Sequence, residues 1–208
     1  MKKGWLIALG SIGALLLLVV LPVIGSYNGL VQDREKVRSA VNTMEAQYQR
    51  RNDLIPNLVE TVKGSSTFEQ DTLTQVIEAR SKATSVQIDP TNVTPEQLQQ
   101  YQQAQNGVTS ALGRLLAVAE AYPDLKASAA YRDLMSQLEG TENRISVARQ
   151  DYGTVAKDYN AKIQTFPTNI AAGIFGFKDF PYFTAESQDA PKVDFGTQQP
   201  ATQPAPAQ

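Results

Sequence analysis

The chain has 208 residues, 42% of them hydrophobic, and a formal net charge of −2, which allows one domain with attachments. It contains no histidine and no cysteine, which excludes a thiol nucleophile, an imidazole base, a Cys/His metal cluster and a disulfide framework. No basic stripe stands out along the sequence, so a nucleic-acid partner is not expected.

Residues 5–24, WLIALGSIGALLLLVVLPVI, carry no charge. A helix of that length, at ~1.5 Å per residue, matches the ~30 Å hydrocarbon core of a bilayer. Residues 1–25 are therefore expected to form a single-pass anchor in contact with lipid through residues 5–24. A cleaved signal peptide is the rival, but its apolar region usually runs only about 7–15 residues. Lys2 and Lys3 place the amino terminus in the cytoplasm and the remainder outside; Arg34, Lys36 and Arg38 weaken that bias. Beyond the anchor, 19 − 2 = 17 basic residues face 21 acidic ones, a net charge of −4.

Residues 26–166 carry helical seams with alternating three- and four-residue spacing. The first reads Leu30, Arg34, Val37, Val41, Met44, Tyr48, Arg51, Ile55, Leu58, Val62 and breaks at Gly64. Thr67 with Gln70 has the form of a capping box for a shorter second helix with Phe68, Leu73, Val76, Ile77, Ala79 and Ala83 as its apolar residues. Thr94, Pro95 and Gln97 signal a third start, and its seam runs Leu98, Tyr101, Gln105, Val108, Leu112, Leu115, Ala119, Tyr122. Pro123 ends it, with Asp124 as a candidate cap. The fourth seam is Tyr131, Leu134, Leu138, Thr141, Ile145, Ala148, Tyr152, Val155, Tyr159, Lys162, Phe166, stopped by Pro167. Four amphipathic helices with short connections predict an all-α fold: an amino-terminal transmembrane helix followed by an antiparallel up-down four-helix bundle.

Charges on the seams need partners, since a buried charge is tolerable only when paired. Counting up helix one from Tyr27 and down helix four from Phe166 pairs Arg51 with Glu142, Arg34 with Asp158, and Glu60 with Arg132. Arg51 is expected to set the register of the two helices, with Arg50 solvated beside it. Asn57 joins Glu60 and Glu142 in the candidate register network, for which a ligand site is the competing reading. Pro56 either kinks helix one or starts a new helix capped by Asp53. The seam keeps its phase across it, so a kink is expected, with Asn52 and Asn57 as candidates to satisfy the freed groups.

Residues 167–186 are rich in glycine and aromatics with poor helical periodicity. An antiparallel bundle returns this segment to the membrane end. Phe175, Phe177, Phe180, Tyr182 and Phe183 then either lie at the bilayer interface or cap the base of the bundle. Residues 187–208 are proline- and glutamine-rich and read as a disordered tail.

The stretches SYNGLVQDREKV, RRNDLIPNLVETVKG, AYPDLKAS, QLEGTENRISVARQDY and KDYNAKIQTFP resemble, in order and spacing, the bacterial LemA family across roughly residues 26–183. The resemblance implies a single-pass membrane protein of the bacterial inner membrane with a helical-bundle domain. It implies no established enzymatic activity and no cofactor. It also hints at a membrane protein with a TPM domain as partner. Val41 stands where the family usually has tryptophan, and Gly153 where it usually has asparagine.

The expected function is a non-enzymatic interaction or scaffold module at the cell envelope. A carboxylate-dependent hydrolase is the alternative, since Glu139 and Glu142 share a helical face; Arg51 and Arg144 are at hand to neutralise them. A third reading is a lipid-organising envelope-stress protein that touches the membrane through residues 167–183.

Overall fold

The computed structural model describes residues 2–64 and 69–183; near the amino terminus, side chains are described at residues 5, 10, 11, 13 and 18 and from 21 onward. The described residues form the helices α1 (Lys2–Lys63), α2 (Gln70–Ser85), α3 (Pro95–Ala119), α4 (Pro123–Ala127), α5 (Ala129–Gln164) and α6 (Thr168–Phe175). No strand occurs among them, so the described residues are all-α as the seams require. Among the described residues no helix is long and apolar enough to cross a membrane. Most side chains of the expected anchor, residues 5–24, lie outside the described ones, as do Thr67, Phe68 and the tail at 187–208.

The seam on α1 explains the packing. Leu30, Val37, Val41, Met44, Tyr48, Arg51, Ile55, Leu58 and Val62 are all buried, and α1 packs along α5 and against α2, while α2 packs on α3. Each fully buried aliphatic side chain contributes about 1.5–3 kcal/mol of transfer free energy, so this stripe is the main reason α1 holds its place. Two contacts fix the direction of α5. Lys162 meets Asp33 at 2.6 Å, and Arg51 meets Glu142 at 2.9 Å. Rising from 33 to 51 on α1 therefore descends from 162 to 142 on α5, and the two helices are antiparallel. Against α3 the numbers rise together: Tyr48 touches Tyr101, and Arg51 reaches Gln105 and Thr109.

The ends of the helices follow local chemistry. Thr94 accepts from the Gln97 amide at 3.2 Å and the Gln97 side chain accepts from the Thr94 amide at 3.3 Å, with Pro95 in the first turn. Other boundaries differ from expectation. α2 starts at Gln70 with Glu69 in the cap position and no side-chain cap bond. Pro123 opens the short α4, because proline suits a first turn where no donor is needed; Asp124 lies in that first turn, and Ser128 caps α5 by accepting from the Tyr131 amide at 3.3 Å. α6 was not evident from periodicity. It is short, rests on Ala171 and Ala172, and ends at Gly176 with φ +70°, which lets the Phe177 amide reach back to the Ala172 carbonyl at 3.0 Å.

α1 runs without interruption through Pro56, which rules out a new helix capped by Asp53. Proline lacks the N–H that would serve the Asn52 carbonyl. That carbonyl instead accepts from Arg80 Nε on α2 at 2.8 Å. Asn57 is exposed and its backbone carbonyl takes the Thr61 hydroxyl, so neither asparagine side chain is the solution. Arg80→Ala is expected to cost about 1–3 kcal/mol, the penalty for a stranded partly buried carbonyl. In a Pro56→Ala background, where residue 56 regains its N–H, the same change should cost clearly less. Equal costs in a double-mutant cycle would show that Arg80 does not serve the carbonyl.

Candidate functional site

The core divides into two apolar clusters. One holds Val37, Val41, Met44, Tyr48, Tyr101, Ile145 and Tyr152; the other holds Ile55, Leu58, Val62, Val108, Leu115 and Leu138. Between them lies a polar layer. Arg51, 1% exposed, sends Nη1 to Thr109 Oγ1 and Glu142 Oε1, each at 2.9 Å. Its Nη2 donates to the Gln105 carbonyl at 3.0 Å and to Gln105 Oε1 at 2.7 Å. The guanidinium also stands 5.2 Å from the Tyr48 ring centroid, and Tyr48 meets Tyr101 edge-on at 5.3 Å. This planar fork joins α1, α3 and α5 at one level, a task suited to arginine's fixed donor geometry.

Of the three charge pairs expected between α1 and α5, the structure brings together one, Arg51 with Glu142. Glu60 is exposed and pairs with Lys63 on its own helix at 3.0 Å; Arg132 is exposed and makes no ion pair among the described residues. Arg34 does not meet Asp158. Its guanidinium lies 5.1 Å from the Phe177 ring centroid, and Asp33 takes Lys162 instead. A one-residue rotation about α1 moves the contact from position 34 to 33, which simple counting does not resolve. Arg50 is exposed beside the buried Arg51.

Glu142 is 42% exposed on its outer side and opens onto a groove lined by Ser146, Arg149, Gly153, Tyr182 and Phe183. Gly153 has open space where a side chain would project. A second, smaller cavity lies nearer the base between Arg34, Asn92, Tyr159, Lys178 and Phe180. No group of His, Cys, Asp or Glu among the described residues has the arrangement to hold a metal ion.

The segment after α6 is held by a clamp that the sequence did not announce. Asn160 Nδ2 donates to the Phe180 carbonyl at 2.8 Å, and the Phe180 amide donates to Asn160 Oδ1 at 2.9 Å. The Tyr152 hydroxyl donates to the Pro181 carbonyl at 2.6 Å. Phe180 is buried against Tyr159, and Phe183 packs on Tyr152 with Arg149 above it. These contacts step from position 160 to 149 on α5, so the segment climbs away from the end where Lys162 meets Asp33. From 162 to 149 is ~20 Å of helix. Phe180 is thus buried and Phe177 and Phe183 are partly buried against the helices, as the packing alternative for these rings expects, while Phe175 and Tyr182 of the five are left half exposed.

Burial raises the phenol pKa values of Tyr48, Tyr101, Tyr152 and Tyr159 above the ordinary 10.0. The unfolded chain releases those protons near pH 10 while the folded chain keeps them. Their contribution is thus fully present below pH ~10 and lost as the pH rises toward the folded values. Asp33 has the opposite sign: burial alone would raise it, but Lys162 and Lys36 pull it below 3.8, so its contribution is lost only as acid titrates the carboxylate. A urea series is expected to show level stability between pH 7 and 9 and a fall above pH ~10. Phenolate absorbance from the core should appear only with unfolding; phenolate growing in ahead of unfolding would contradict the burial.

The profile of the LemA family matches residues 40–195. Protein LemA of Metamycoplasma hominis is 28% identical over 171 residues, covering 82% of this chain and 74% of that protein. Magnetosome protein MamQ 2 of Paramagnetospirillum magneticum is 29% identical over 198 residues, covering 84% and 73%. Magnetosome protein MamQ of Magnetospirillum gryphiswaldense is 28% identical, covering 76% and 64%. The matched span takes in the polar layer at Arg51, the Asn160 clamp and α6, and on it the chain belongs to the LemA family.

Proposed function

We propose that the protein is a membrane-tethered, non-enzymatic interaction module of the bacterial cell envelope, with its helical domain outside the cytoplasm. The observation that carries this is the continuity of α1. The charge-free run at 5–24 and the seam from Leu30 to Val62 lie on one helix, Lys2–Lys63. Such a helix holds a folded domain upright on the bilayer rather than on a slack leash. α1, α2, α3 and α5 serve as the four helices of an up-down bundle on that stalk. The carboxylate reading gains no support: Glu142 is engaged by Arg51, and its charge serves the register of α1 and α5. The partner we expect is a membrane protein, with a TPM-domain protein the first to try. Full-length protein extracted in mild detergent should co-purify with a co-expressed TPM-domain protein. Separation into two independent species at every detergent tested would remove that partner.

A further inference from the structure

We infer that α6 is a membrane-seated foot, an interfacial helix that rests its outer face on the same bilayer that residues 5–24 enter. The inference deepens the proposed tether and rests on it. α6 packs on α1 and α5 through Ala171 and Ala172. Its other side leaves Ile170 47% and Ile174 67% exposed, with Phe166 just before the helix at 76%; Phe175, on the inner face beside Ala171 and Ala172, is still 52% exposed at its edge. A contiguous exposed apolar patch marks an interaction surface rather than an ordinary solvent face.

Position decides what covers it. Phe175 stacks on Tyr27 at 4.7 Å between ring centroids, and Phe177 reaches the same ring at 5.7 Å. Tyr27 is only three residues past Ile24, the last residue of the apolar run, or ~4.5 Å along the helix. The headgroup layer is ~5–8 Å deep on each side of the hydrocarbon. α6 is thus held at headgroup depth, beside the point where α1 emerges. The charges agree. No charged residue occurs between Lys3 and Asp33, or between Lys162 and Lys178, and Lys162 is paired with Asp33, so the base of the domain is neutral. An uncharged helix with apolar groups on its outer face suits burial at the headgroup boundary. The foot would add a second point of support beside the α1 stalk and so limit tilt of the domain about the place where α1 emerges.

The absence of cysteine makes the test direct. Leu21→Cys, Ile174→Cys and Asn57→Cys, each in the full chain, are labelled with an environment-sensitive fluorophore. The labelled proteins are reconstituted into phosphatidylcholine–phosphatidylglycerol vesicles with and without a lipid carrying a nitroxide high on its acyl chain. Strong quenching at 21 and 174, with none at 57, is the expected result. Quenching at 21 with position 174 as unaffected as 57 overturns the foot and leaves the tether standing. No quenching at any position means that the tether itself is wrong. If 174 is shielded from both the lipid quencher and aqueous iodide, another protein surface covers α6, and the membrane assignment is rejected.

Discussion

Replacing Arg51 with alanine is expected to lower the stability of the domain by about 3–5 kcal/mol, the range for truncating a large buried side chain and stranding the buried acceptors it serves. The loss has two parts: a large side chain deleted from a packed level, and the carbonyl and side-chain oxygens of the buried Gln105 left without their donor. Glu142→Gln should cost less, about 1.5–3 kcal/mol, because the buried guanidinium loses its counter-charge but the amide oxygen can still accept from its Nη1. Arg51→Lys should fall between, since an ammonium cannot span Gln105, Thr109 and Glu142 in one plane. Arg51→Met combined with Gln105→Leu should recover much of the loss, because an apolar layer of similar volume removes the stranded groups together with the charge. Urea denaturation of the four variants reads this ordering. Equal losses for Arg51→Ala and Glu142→Gln would mean that the ion pair, and not the fork to α3, is the stabilising element.

The second large effect is local. Asn160→Leu removes both partners of the Phe180 backbone, and each stranded buried group costs about 1–3 kcal/mol. The segment 176–183 is held at one end by α6 and along its length by side chains of α5, so it should detach before the helices separate. Hydrogen exchange at the Phe180 amide should rise by at least tenfold, the equivalent of ~1.4 kcal/mol, while amides in the middle of α5 keep their protection. Asn160→Asp is a sharper probe: it retains the acceptor for the Phe180 amide and loses the donor to its carbonyl, so an intermediate rate is expected. Unchanged exchange in both variants would assign the segment's hold to Tyr152 and the aromatic stacking alone.

Much of the helical core was legible because burial leaves a periodic trace. The α1 positions from Val37 to Val62 spaced by three and four are all inside, and the polar residues that interrupt the third and fourth seams, Gln105 and Thr141, are buried at the level of Arg51. The pairing of Arg51 with Glu142 needed only two helices and a common starting level. Other features had no such trace. Arg80 serves the carbonyl opposite Pro56 from a different helix, a tertiary contact with no local spacing. Asn160 neighbours the buried Tyr159 and lies off the seam, so nothing marked its amide as a clamp. α6 is too short to show a period, although glycine at 176 after an apolar run is a helix-stop signal in hindsight. The aromatics from 175 to 183 looked alike in sequence; the climb of the chain along α5 separates Phe175 at the base from Phe180 and Phe183 above it.

Tether and orientation are tested together by one labelling measurement. Ser187→Cys gives a single thiol in an otherwise cysteine-free chain, to be probed with a membrane-impermeant maleimide on intact cells, with lysed cells as the control. Labelling of intact cells, on protein that stays with the membrane fraction, is the expected result. Protection until lysis would place the helical domain in the cytoplasm, and recovery of the protein in the soluble fraction would contradict the anchor at residues 5–24.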